Sequence, residues 1–416
     1  MAVENRPYDL IVIGGGAAGI FAAINTARLQ PTWKIIVLEK TGKLLAKVKV
    51  SGGGRCNVTN ACFDKKQLPS YYPRGEFVVK KYVHQFFTTD TIEWFQQRGV
   101  ELKTESDGRM FPVTDRSQTI IDVLLKEAAT YQVDFVFQAA VTDVTKKENL
   151  FLVQLSNGKK LASFHCCVAA GGLLKESSFD WVIKMGHLIQ SPVPSLFTFN
   201  SPRHALTSLM GISVPTVRVK ISGTKLEQTG PVLITHWGLS GPAVLRLSAW
   251  GARILNEMNY QFSIQLNWLE GEGWNSTSLS TFFNQQRLAF PAKQLGSRLF
   301  QLPQRLWDYF LAESGIAPQT RFAELKKKEE NKLIKLLTDM SVPVNGKTTF
   351  KEEFVSAGGI DCSQIDPLTM ESKLIPGLYF AGEIMDVDGV TGGFNFQHAW
   401  SSGYLAAMAI AKNQVS

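Results

Sequence analysis

The chain opens with an apolar strand that runs into a glycine-rich turn, and this pattern restricts the possible folds more than any other feature. Residues 8–13 read Tyr-Asp-Leu-Ile-Val-Ile, and Gly14, Gly16 and Gly19 follow at the spacing GxGxxG. A predicted helix comes next, and Glu39 ends a second apolar run 20 residues after Gly19. Strand, glycines, helix, second strand and acid in this register predict the unit that binds an adenine dinucleotide.

Each part of this unit has a physical purpose. Gly14 allows a tight turn, Gly16 lets the backbone approach a pyrophosphate, and Gly19 lets the helix pack closely on the strand. The phosphates would lie at the positive N-terminus of the helix, and Glu39 would accept hydrogen bonds from ribose hydroxyls. The motif starts after only seven residues, which is usual when the dinucleotide is FAD. No His or Cys is placed as an obvious tether, so we expect FAD to be bound non-covalently.

Composition narrows the class of protein. A length of 416 residues with 44% hydrophobic residues predicts two or three domains, at about 150 residues each. No segment approaches the ~18 consecutive apolar residues of a membrane span, and no secretory signal is visible. The five cysteines show no CxxC spacing, which argues against disulfides or zinc. We therefore expect a cytoplasmic protein without a metal site.

The character of the sequence changes along the chain in a way that predicts an insertion. Up to residue 190, the dinucleotide unit is followed by predicted helices and strands, whereas alternating apolar and polar residues after residue 191 predict antiparallel strands. Helical spacing then dominates, and an apolar strand returns at residues 377–382. We predict a split FAD-binding domain, a β-rich substrate domain and a helical insertion, covering 1–190 with 356–416, 191–277 with 339–355, and 278–338.

A segment rich in Gly, Lys and Pro, residues 41–75, is predicted to form a long loop that crosses the cofactor. Its centre, Ser51-Gly-Gly-Gly-Arg-Cys-Asn57, offers backbone N–H groups that can bind phosphate or flavin carbonyls. Arg55 can neutralise the pyrophosphate or a substrate anion. Beside it, Cys56 can have a lowered pKa and supply or relay a proton. The alternative is that Cys56 is a small buried apolar residue.

Two segments late in the chain complete the predicted cofactor site. The strand at residues 377–382 ends in Gly382 and Glu383, and in a flavin domain such a strand brings an acid to the ribitol chain. Residues 391–395, Thr-Gly-Gly-Phe-Asn, precede the last predicted helix. The dipole of that helix would point at the flavin N1–C2=O edge and stabilise the negative charge of the reduced flavin.

These motifs together resemble a bacterial FAD flavoprotein family that includes aminoacetone oxidases, BaiN-type bile-acid reductases and RdsA-type ribosomal-RNA dihydrouridine synthases. The resemblance rests on residues 14–19, 51–60, 170–172, 235–242 and 382–395. It implies an α/β architecture in which a Rossmann-like FAD domain of the glutathione-reductase type is interrupted by a β-barrel-like domain that carries a small helical domain. Lys49 stands where an apolar residue is usual in the family, and Ala170 where Thr is common.

The motifs and the resemblance together define the expected cofactor site. The predicted FAD-binding residues are Gly14, Gly15, Gly16, Ala17, Ala18, Gly19, Glu39, Lys40, Lys47, Ser51, Gly52, Gly53, Arg55, Cys56, Asn57, Val141, Ala170, Gly171, Gly172, Gly382, Glu383, Gly392, Gly393, Phe394 and Asn395. A second GxGxxG after a strand is absent from the sequence. We therefore expect NAD(P)H to act, where it is the electron donor, as a transient visitor.

Histidines supply a second set of candidates. His236, in the family segment 235–242, can act as an acid or base because the unperturbed pKa of histidine is near neutrality. The alternative is that this segment is a turn in which Ser240 caps a helix starting at Pro242. His398, on the last predicted helix, is a lesser candidate. No combination of His, Cys and acidic residues forms a metal-ligand pattern.

The net charge of +8 is concentrated in the middle of the chain, where residues 191–355 carry 18 Lys/Arg and 12 Asp/Glu. A solvated surface explains this excess, and so does a polyanion-binding face around Lys326, Lys327 and Lys328.

We favour an FAD-dependent reduction of a uridine C=C bond in ribosomal RNA. The alternatives are oxidation of a small amine or aminoketone, and a flavin-bound RNA- or ribosome-binding factor without turnover.

Overall fold

The apolar run at residues 8–13 forms the central strand of a parallel sheet in the computed structural model, which describes residues 6–172, 176–348 and 355–413. The first elements are β1 (Tyr8–Ile13), α1 (Ala17–Leu29), β2 (Ile35–Leu38), α2 (Ala46–Gly54), β3 (Thr59–Asn60), α3 (Glu76–Tyr82), α4 (Thr88–Gln96), β4 (Leu102–Thr104), β5 (Arg109–Pro112), α5 (Ser117–Thr130), β6 (Asp134–Val136), β7 (Val141–Lys147), β8 (Leu150–Leu155), β9 (Lys160–Val168), α6 (Asp180–Lys184) and β10 (Ile189–Ser195).

The middle of the chain forms a second set of strands and helices. These are β11 (Thr198–Asn200), β12 (Ser213–Ile221), β13 (Glu227–Thr235), β14 (Gly238–Ser240), α7 (Pro242–Trp250), α8 (Ala252–Glu257), β15 (Gln261–Asn267), α9 (Ser276–Ala289), α10 (Gln304–Ser314), α11 (Lys327–Thr338), β16 (Met340–Asn345) and β17 (Lys347–Thr348). The chain then returns to the first set through β18 (Val355–Ile360), β19 (Leu378–Phe380) and α12 (Phe394–Lys412).

The chain divides into two units, Met1–Pro194 with Phe350–Ser416 and Ser195–Thr349. The first unit is therefore interrupted in sequence by the second. Within the part of the chain that the structure describes, the helices of residues 276–338 share one hydrophobic core with the strands of the second unit. Residues 349–354, which belong to the predicted boundary at 355, lie outside the described residues.

The sheet of the first unit has the parallel strand order β6-β2-β1-β9-β19, and β8 and β7 extend it antiparallel from the first half of β9. Ile13 pairs with Leu38 and with Val168, and Val168 also pairs with Phe380. Four parallel strands therefore end side by side. In an open α/β sheet, the crevice beyond the carboxyl ends of the strands is where ligands bind.

The first and last helices of this unit pack against each other at very short range. A Cβ atom built on Gly403 of α12 would lie 2.6 Å from the carbonyl oxygen of Ala18 in α1. Any side chain at residue 403 would push the two helices apart. Around this contact, the rings of Phe21, Trp94 and Trp400 pack at centroid distances of 4.6 and 5.3 Å from Phe21, which fixes α12 beside the sheet.

The second unit is built on an antiparallel sheet that closes on itself. The strand order is β16-β15-β12-β13-β14-β11-β17, and β16 and β17 are consecutive stretches separated only by Gly346. The Gly346 amide donates to Tyr260 O at 2.8 Å, and its carbonyl accepts from Asn200 N at 3.0 Å. Both ends of the sheet therefore meet at one residue, which gives a barrel. Along β16, buried and exposed residues alternate strictly, as expected when one face points into the barrel.

One local prediction is wrong. The segment 41–75, predicted to be a long loop, contains α2, in which only the residues before Ser51 are regularly helical, because Ser51 is extended and Gly52, Gly53 and Gly54 have positive φ. The helix packs on α5, where the hydroxyl of Ser117 donates to Lys49 O at 2.8 Å. A short helix therefore forms over residues 46–50, and the glycines that follow it form a turn.

Candidate functional site

The turn after β1 has the geometry that the glycine spacing predicted. Gly14 has a φ of +115°, and a Cβ there would lie 2.3 Å from Ala169 O at the end of β9. Gly16 caps the N-terminus of α1, and a Cβ on Gly16 would meet no atom within 4 Å. The first amides of a helix have no partner within the helix. The turn therefore presents backbone donors to open space at the sheet edge.

Glu39 lies directly beside this turn. Its Oε2 accepts a hydrogen bond from Gly15 N at 2.9 Å, and its Oε1 accepts from the amide and the hydroxyl of Thr41, both at 2.8 Å. The carboxylate thus ties the end of β2 to the glycine turn and is half-buried there. The sequence did not single out Thr41, although a hydroxyl two residues after the acid is a recognisable side-chain turn signal.

The other residues predicted to bind the cofactor near Glu39 lie at the start of α1, just after β2 and at the start of β7. Ala17 and Ala18 form the first turn of α1, and Lys40 is exposed. Val141 begins β7. Just before it, Ala139 N donates to Glu39 O at 2.9 Å. The segment leading to Val141 is therefore attached to Glu39, on the side of the sheet where an adenosine would lie if Glu39 bound its ribose.

A second acid, Glu383, follows the last parallel strand. Its Oε2 lies 2.6 Å from Lys47 Nζ, and its Oε1 accepts from Ser356 N at 2.9 Å. Gly172, two residues after Ala170, lies against the same carboxylate, because a Cβ on Gly172 would be 2.3 Å from Glu383 Oε1. Three distant segments, at residues 47, 172 and 383, therefore meet here, and the sequence had assigned all three to the cofactor.

The glycines of the loop at residues 51–57 are exposed, and Cβ atoms on Gly53 or Gly54 would meet no atom within 4 Å. Arg55 behaves differently from the prediction. Its guanidinium lies 2.6 Å from Glu105 Oε1 and 3.6 Å from Asp115 Oδ1, and stacks over the Phe111 ring at 4.0 Å. Any anion that Arg55 neutralises must therefore compete with two carboxylates.

The predicted lowering of the Cys56 pKa is wrong. The residue has no exposed surface, and burial raises the pKa of its thiol to about 12, although a hydrogen bond with Ser51 acts in the opposite direction. Arg55 does not offset this burial because its charge is engaged by acids. The thiol therefore keeps its proton at neutral pH. Its backbone has a φ of +62°, at the exit from the glycine turn.

The loop is fastened to the start of the last helix. Asn60 Nδ2 donates to Gly392 O at 2.9 Å, and the Thr59 hydroxyl donates to Gln397 Oε1 at 2.6 Å. Gly393 caps α12. Asn395, which was assigned to the cofactor, exchanges two hydrogen bonds with the backbone of Gly389 at 2.8 and 2.9 Å. Its side chain therefore shapes the turn before α12.

The histidines are divided between the two units. In the second unit, His236 is exposed in the turn between β13 and β14, with its ring 4.3 Å from that of Trp237. The predicted cap is wrong: Ser240 ends β14 by pairing with Leu233, and Gly241 is the N-cap of α7. In the first unit, His398 is buried, its Nδ1 is 3.0 Å from the Tyr82 hydroxyl, and burial lowers its pKa to about 4.

The edge of the sheet fits an adenine dinucleotide in three ways. Space is open at Gly16, Gly53, Gly54 and Gly171, where added Cβ atoms would meet nothing within 4 Å. Two long helices, α1 and α12, begin at glycines. Glu39 and Glu383 place two carboxylates at this edge, a group that can accept hydrogen bonds from ribose or ribitol hydroxyls. Across residues 6–172, 176–348 and 355–413, no group of three or more His, Cys, Asp and Glu side chains could hold a metal ion, and no helix is long and apolar enough to cross a membrane.

Comparison with known proteins agrees with this geometry. The profile of a family described as HI0933-like protein Rossmann domain matches residues 8–409. The ribosomal RNA dihydrouridine synthase of Escherichia coli (strain K12) is 32% identical over 415 residues, which cover 96% of this chain and 97% of that protein. The 3-dehydro-bile acid delta(4,6)-reductase of Clostridium scindens is 27% identical over 410 residues, which cover 96% and 98%.

A solved structure supports the fold. The 3-ketosteroid-delta4-(5alpha)-dehydrogenase from Rhodococcus jostii RHA1 superposes with a TM-score of 0.52 at 15% identity, covering 97% of each chain. At this identity the similarity concerns the fold alone. The α/β fold with a Rossmann-type FAD domain, predicted from the glycine turn and the late strand, is thereby confirmed.

Proposed function

The chain belongs to the HI0933-like Rossmann family of FAD-dependent oxidoreductases, and we propose that within this family it reduces the C5=C6 bond of uridine in ribosomal RNA. The observation that carries the proposal is the 32% identity to a ribosomal RNA dihydrouridine synthase over nearly the whole of both chains. The positive excess of residues 191–355 agrees with a polyanionic substrate. Such a substrate also implies a cytoplasmic location.

The proposed cofactor is non-covalent FAD, held at the edge of the parallel sheet. When bound and reduced, FAD supplies the hydride for one carbon of the uracil double bond, and a proton completes the other carbon. In this proposal the turn at Gly14–Gly16 faces the pyrophosphate, and Glu39 accepts hydrogen bonds from a ribose. Glu383, held by Lys47, faces the ribitol chain. NAD(P)H is the proposed transient source of the electrons.

The proton in this scheme needs a donor. We propose Cys56 and His236 as the candidates from the protein, with a bound water as the third. The Cys56 thiol holds its proton at neutral pH because burial raises its pKa to about 12. His236 is exposed, at a turn of the second unit.

A second candidate function is the reduction of a C=C bond in a small molecule. The 27% identity to a bile-acid reductase, over 96% of this chain, favours it. Both functions use the same cofactor and the same hydride chemistry, and they differ only in the substrate. The nucleic-acid product is therefore the decisive measurement.

The proposed function is tested on ribosomal RNA. Reduction adds two hydrogens to one uridine, so mass spectrometry of RNase fragments from a strain lacking the gene should show one fragment lighter by two hydrogens than in the parent. Restoring the gene should restore the heavier fragment, and the Glu39→Ala gene should restore it less well. Identical fragments in all strains would exclude this function and leave the small-molecule reductase.

FAD binding has its own prediction. Glu39→Ala should weaken the affinity of the apoprotein for FAD by about 10- to 150-fold, the factor that corresponds to about 1.5–3 kcal/mol for a hydrogen bond to a charged group. Titration of the apoprotein with fluorescent FAD measures the affinity. Glu39→Gln keeps an acceptor for Gly15 N and should lose less. The control is Glu101→Ala, an exposed glutamate of the same unit. Equal affinity in Glu39→Ala and in the control would contradict the ribose assignment.

A further inference from the structure

A polar groove runs along the helices of the second unit. It lies between α9 and α11, with β12 and β15 contributing Arg218 and Asn267, and its volume is about 790 Å³. We call it the α9–α11 groove. Every residue that lines it belongs to Ser195–Thr349 and lies within the described part of the chain. None of its lining residues belongs to the first unit.

One wall of the groove is a row of hydroxyl groups. Ser276, Thr277, Ser280 and Thr281 line it from α9. On a helix, residues separated by four positions lie one turn apart on the same side, so the four hydroxyls form two successive rungs. They all face solvent at least in part. The Thr281 hydroxyl donates to Thr277 O at 3.2 Å, and the Ser280 hydroxyl accepts from Lys327 Nζ at 3.3 Å. Each hydroxyl oxygen has a second lone pair, so the wall can accept hydrogen bonds along more than 5 Å, the rise of about one helical turn.

The opposite wall contributes one lysine to the lining, and two more lysines lie outside the lining on the same helix. Lys335 lines the groove from α11, and with Lys328 and Lys332 it forms an exposed stripe, because positions i, i+4 and i+7 lie on one side of a helix. Among the described residues, none of these three lysines forms an ion pair. Lys326 and Lys327 do form ion pairs, with Glu329 at 3.6 Å and with the buried Glu330 at 2.5 Å.

Two further charges belong to the groove. Arg218, at its floor, lies 3.2 Å from Glu270 and 3.4 Å from Glu227, so its charge is partly offset. Asp339, at the end of α11, is an exposed acid in the lining. Ile334 is the one aliphatic side chain that lines the groove. A steroid-like molecule needs predominantly apolar walls, which this groove does not offer.

We propose that the α9–α11 groove binds the sugar–phosphate backbone of an RNA strand. This inference rests on the proposed ribosomal RNA substrate and names the surface that holds it. Phosphates attract the lysine stripe, and Ser, Thr and Asn side chains hydrogen-bond to phosphate and sugar oxygens. The ribose 2′-hydroxyl is both donor and acceptor, so it matches a wall of hydroxyl groups. The contacts position the RNA without reading its bases.

The polyanion-binding face was predicted at Lys326, Lys327 and Lys328, but the ion pair of Lys327 makes other lysines better positions for a test. Lys327 is a partner of Glu330, which has no exposed surface and also binds Arg287 at 2.6 Å. A charge reversal at residue 327 would therefore disturb the fold, whatever its effect on RNA. The informative positions are Lys335, which lines the groove, and Lys332, which lies next to it on the exposed side of α11; among the described residues neither forms an ion pair.

The test measures binding of the FAD-loaded full chain to a fluorescent fragment of ribosomal RNA by anisotropy, at several salt concentrations. Lys332→Ala with Lys335→Ala should weaken binding about 3- to 10-fold at low salt, a range typical of two exposed charge contacts. The slope of log affinity against log salt should become shallower by about 1.4 units, since each phosphate contact on a single strand contributes about 0.7. Asp339→Asn should tighten binding about twofold, because it removes a charge that repels phosphate.

Matched controls separate the groove from general charge. Lys225→Ala with Lys293→Ala removes two exposed lysines of the same unit that lie outside both the groove lining and the lysine stripe of α11, and it should leave affinity within about twofold. Thr277→Ala with Thr281→Ala should weaken binding to RNA more than to DNA of the same sequence, because only RNA has the 2′-hydroxyl. Equal losses for the groove and control pairs would overturn the proposal.

The outcome also distinguishes this inference from the proposed function. If ribosomal RNA is modified in a gene-dependent manner but the groove variants bind RNA as the controls do, the groove inference is wrong and the function stands. If wild-type protein does not bind ribosomal RNA and no RNA product is found, the proposed function is wrong and the groove inference falls with it. Circular dichroism and FAD content confirm that each variant is folded.

Discussion

Replacing Asp388 by alanine should lower the free energy of unfolding by about 3–5 kcal/mol, the cost of removing one partner of a buried ion pair. Asp388 has no exposed surface, and both of its carboxylate oxygens accept hydrogen bonds from Arg74, whose side chain is only 9% exposed. The change removes the two oxygens that accept these hydrogen bonds and leaves a cavity beside the guanidinium. Urea unfolding followed by tryptophan fluorescence measures the loss.

An exposed ion pair that begins two residues after Arg74 provides the control. Glu76 and Lys80 lie 2.6 Å apart on α3, at positions i and i+4, with side chains 45% and 60% exposed. Glu76→Ala should change the free energy of unfolding by less than about 0.5 kcal/mol, because solvent screens such a pair. A loss below about 1 kcal/mol in Asp388→Ala would show that other groups compensate Arg74 when the carboxylate is removed.

The buried ion pair of Arg74 and Asp388 is a contact that sequence patterns cannot reveal. Arg74 and Asp388 are 314 residues apart, and nothing near either residue indicates the other. The fingerprint at Gly14–Gly19, by contrast, is contained in one β-α-β unit, so its turn and helix could be predicted from spacing alone. The family resemblance, now confirmed by the match across residues 8–409, extended that prediction to the order of the domains.

Failures of prediction occurred where distant packing decides the local structure. Residues 41–75 were predicted to form a loop, yet the residues of α2 before Ser51 are helical and pack against α5. Ser240 looks like a helix cap, yet it pairs with Leu233 across the barrel sheet, and the cap moves to Gly241. The pKa of Cys56 depends on burial, which the sequence does not report. Its neighbour Arg55 suggested a lowered value, but Glu105 occupies that charge.

Part of the candidate site could be predicted from the sequence, namely its two acids, but the partners of these acids could not. The acids after β2 and β19 were identified because each follows an apolar strand, and parallel strands end at the same edge. Their partners, Gly15 N for Glu39 and Lys47 for Glu383, emerged only from the structure. The groove between α9 and α11 was missed for the same reason. Its hydroxyl row has helical spacing in the sequence, but the facing helix does not follow from either segment alone.

Cys56→Ala should slow the turnover of uridine in ribosomal RNA by about 10²–10⁴-fold, the range expected for the loss of a general acid. The thiol is suited to hold a proton until transfer, because burial raises its pKa to about 12. Below that pKa the thiol is neutral. In an assay from about pH 6 to about pH 9, ionisation of Cys56 should therefore not change the rate. Single-turnover measurements with reduced protein isolate this step from flavin reduction.

Two alanine variants distinguish Cys56 from His236 as the proton donor. Cys56→Ala removes little volume and leaves the Ser51 carbonyl bond to the backbone amide in place, so FAD content and the rate of flavin reduction should stay near wild type. His236→Ala should change turnover by only a few-fold, because the imidazole is exposed and solvent can replace it as a proton source. If the two results are reversed, His236 is the donor. If both variants turn over within a few-fold of wild type, Cys56 only packs beneath the glycine loop and a bound water supplies the proton.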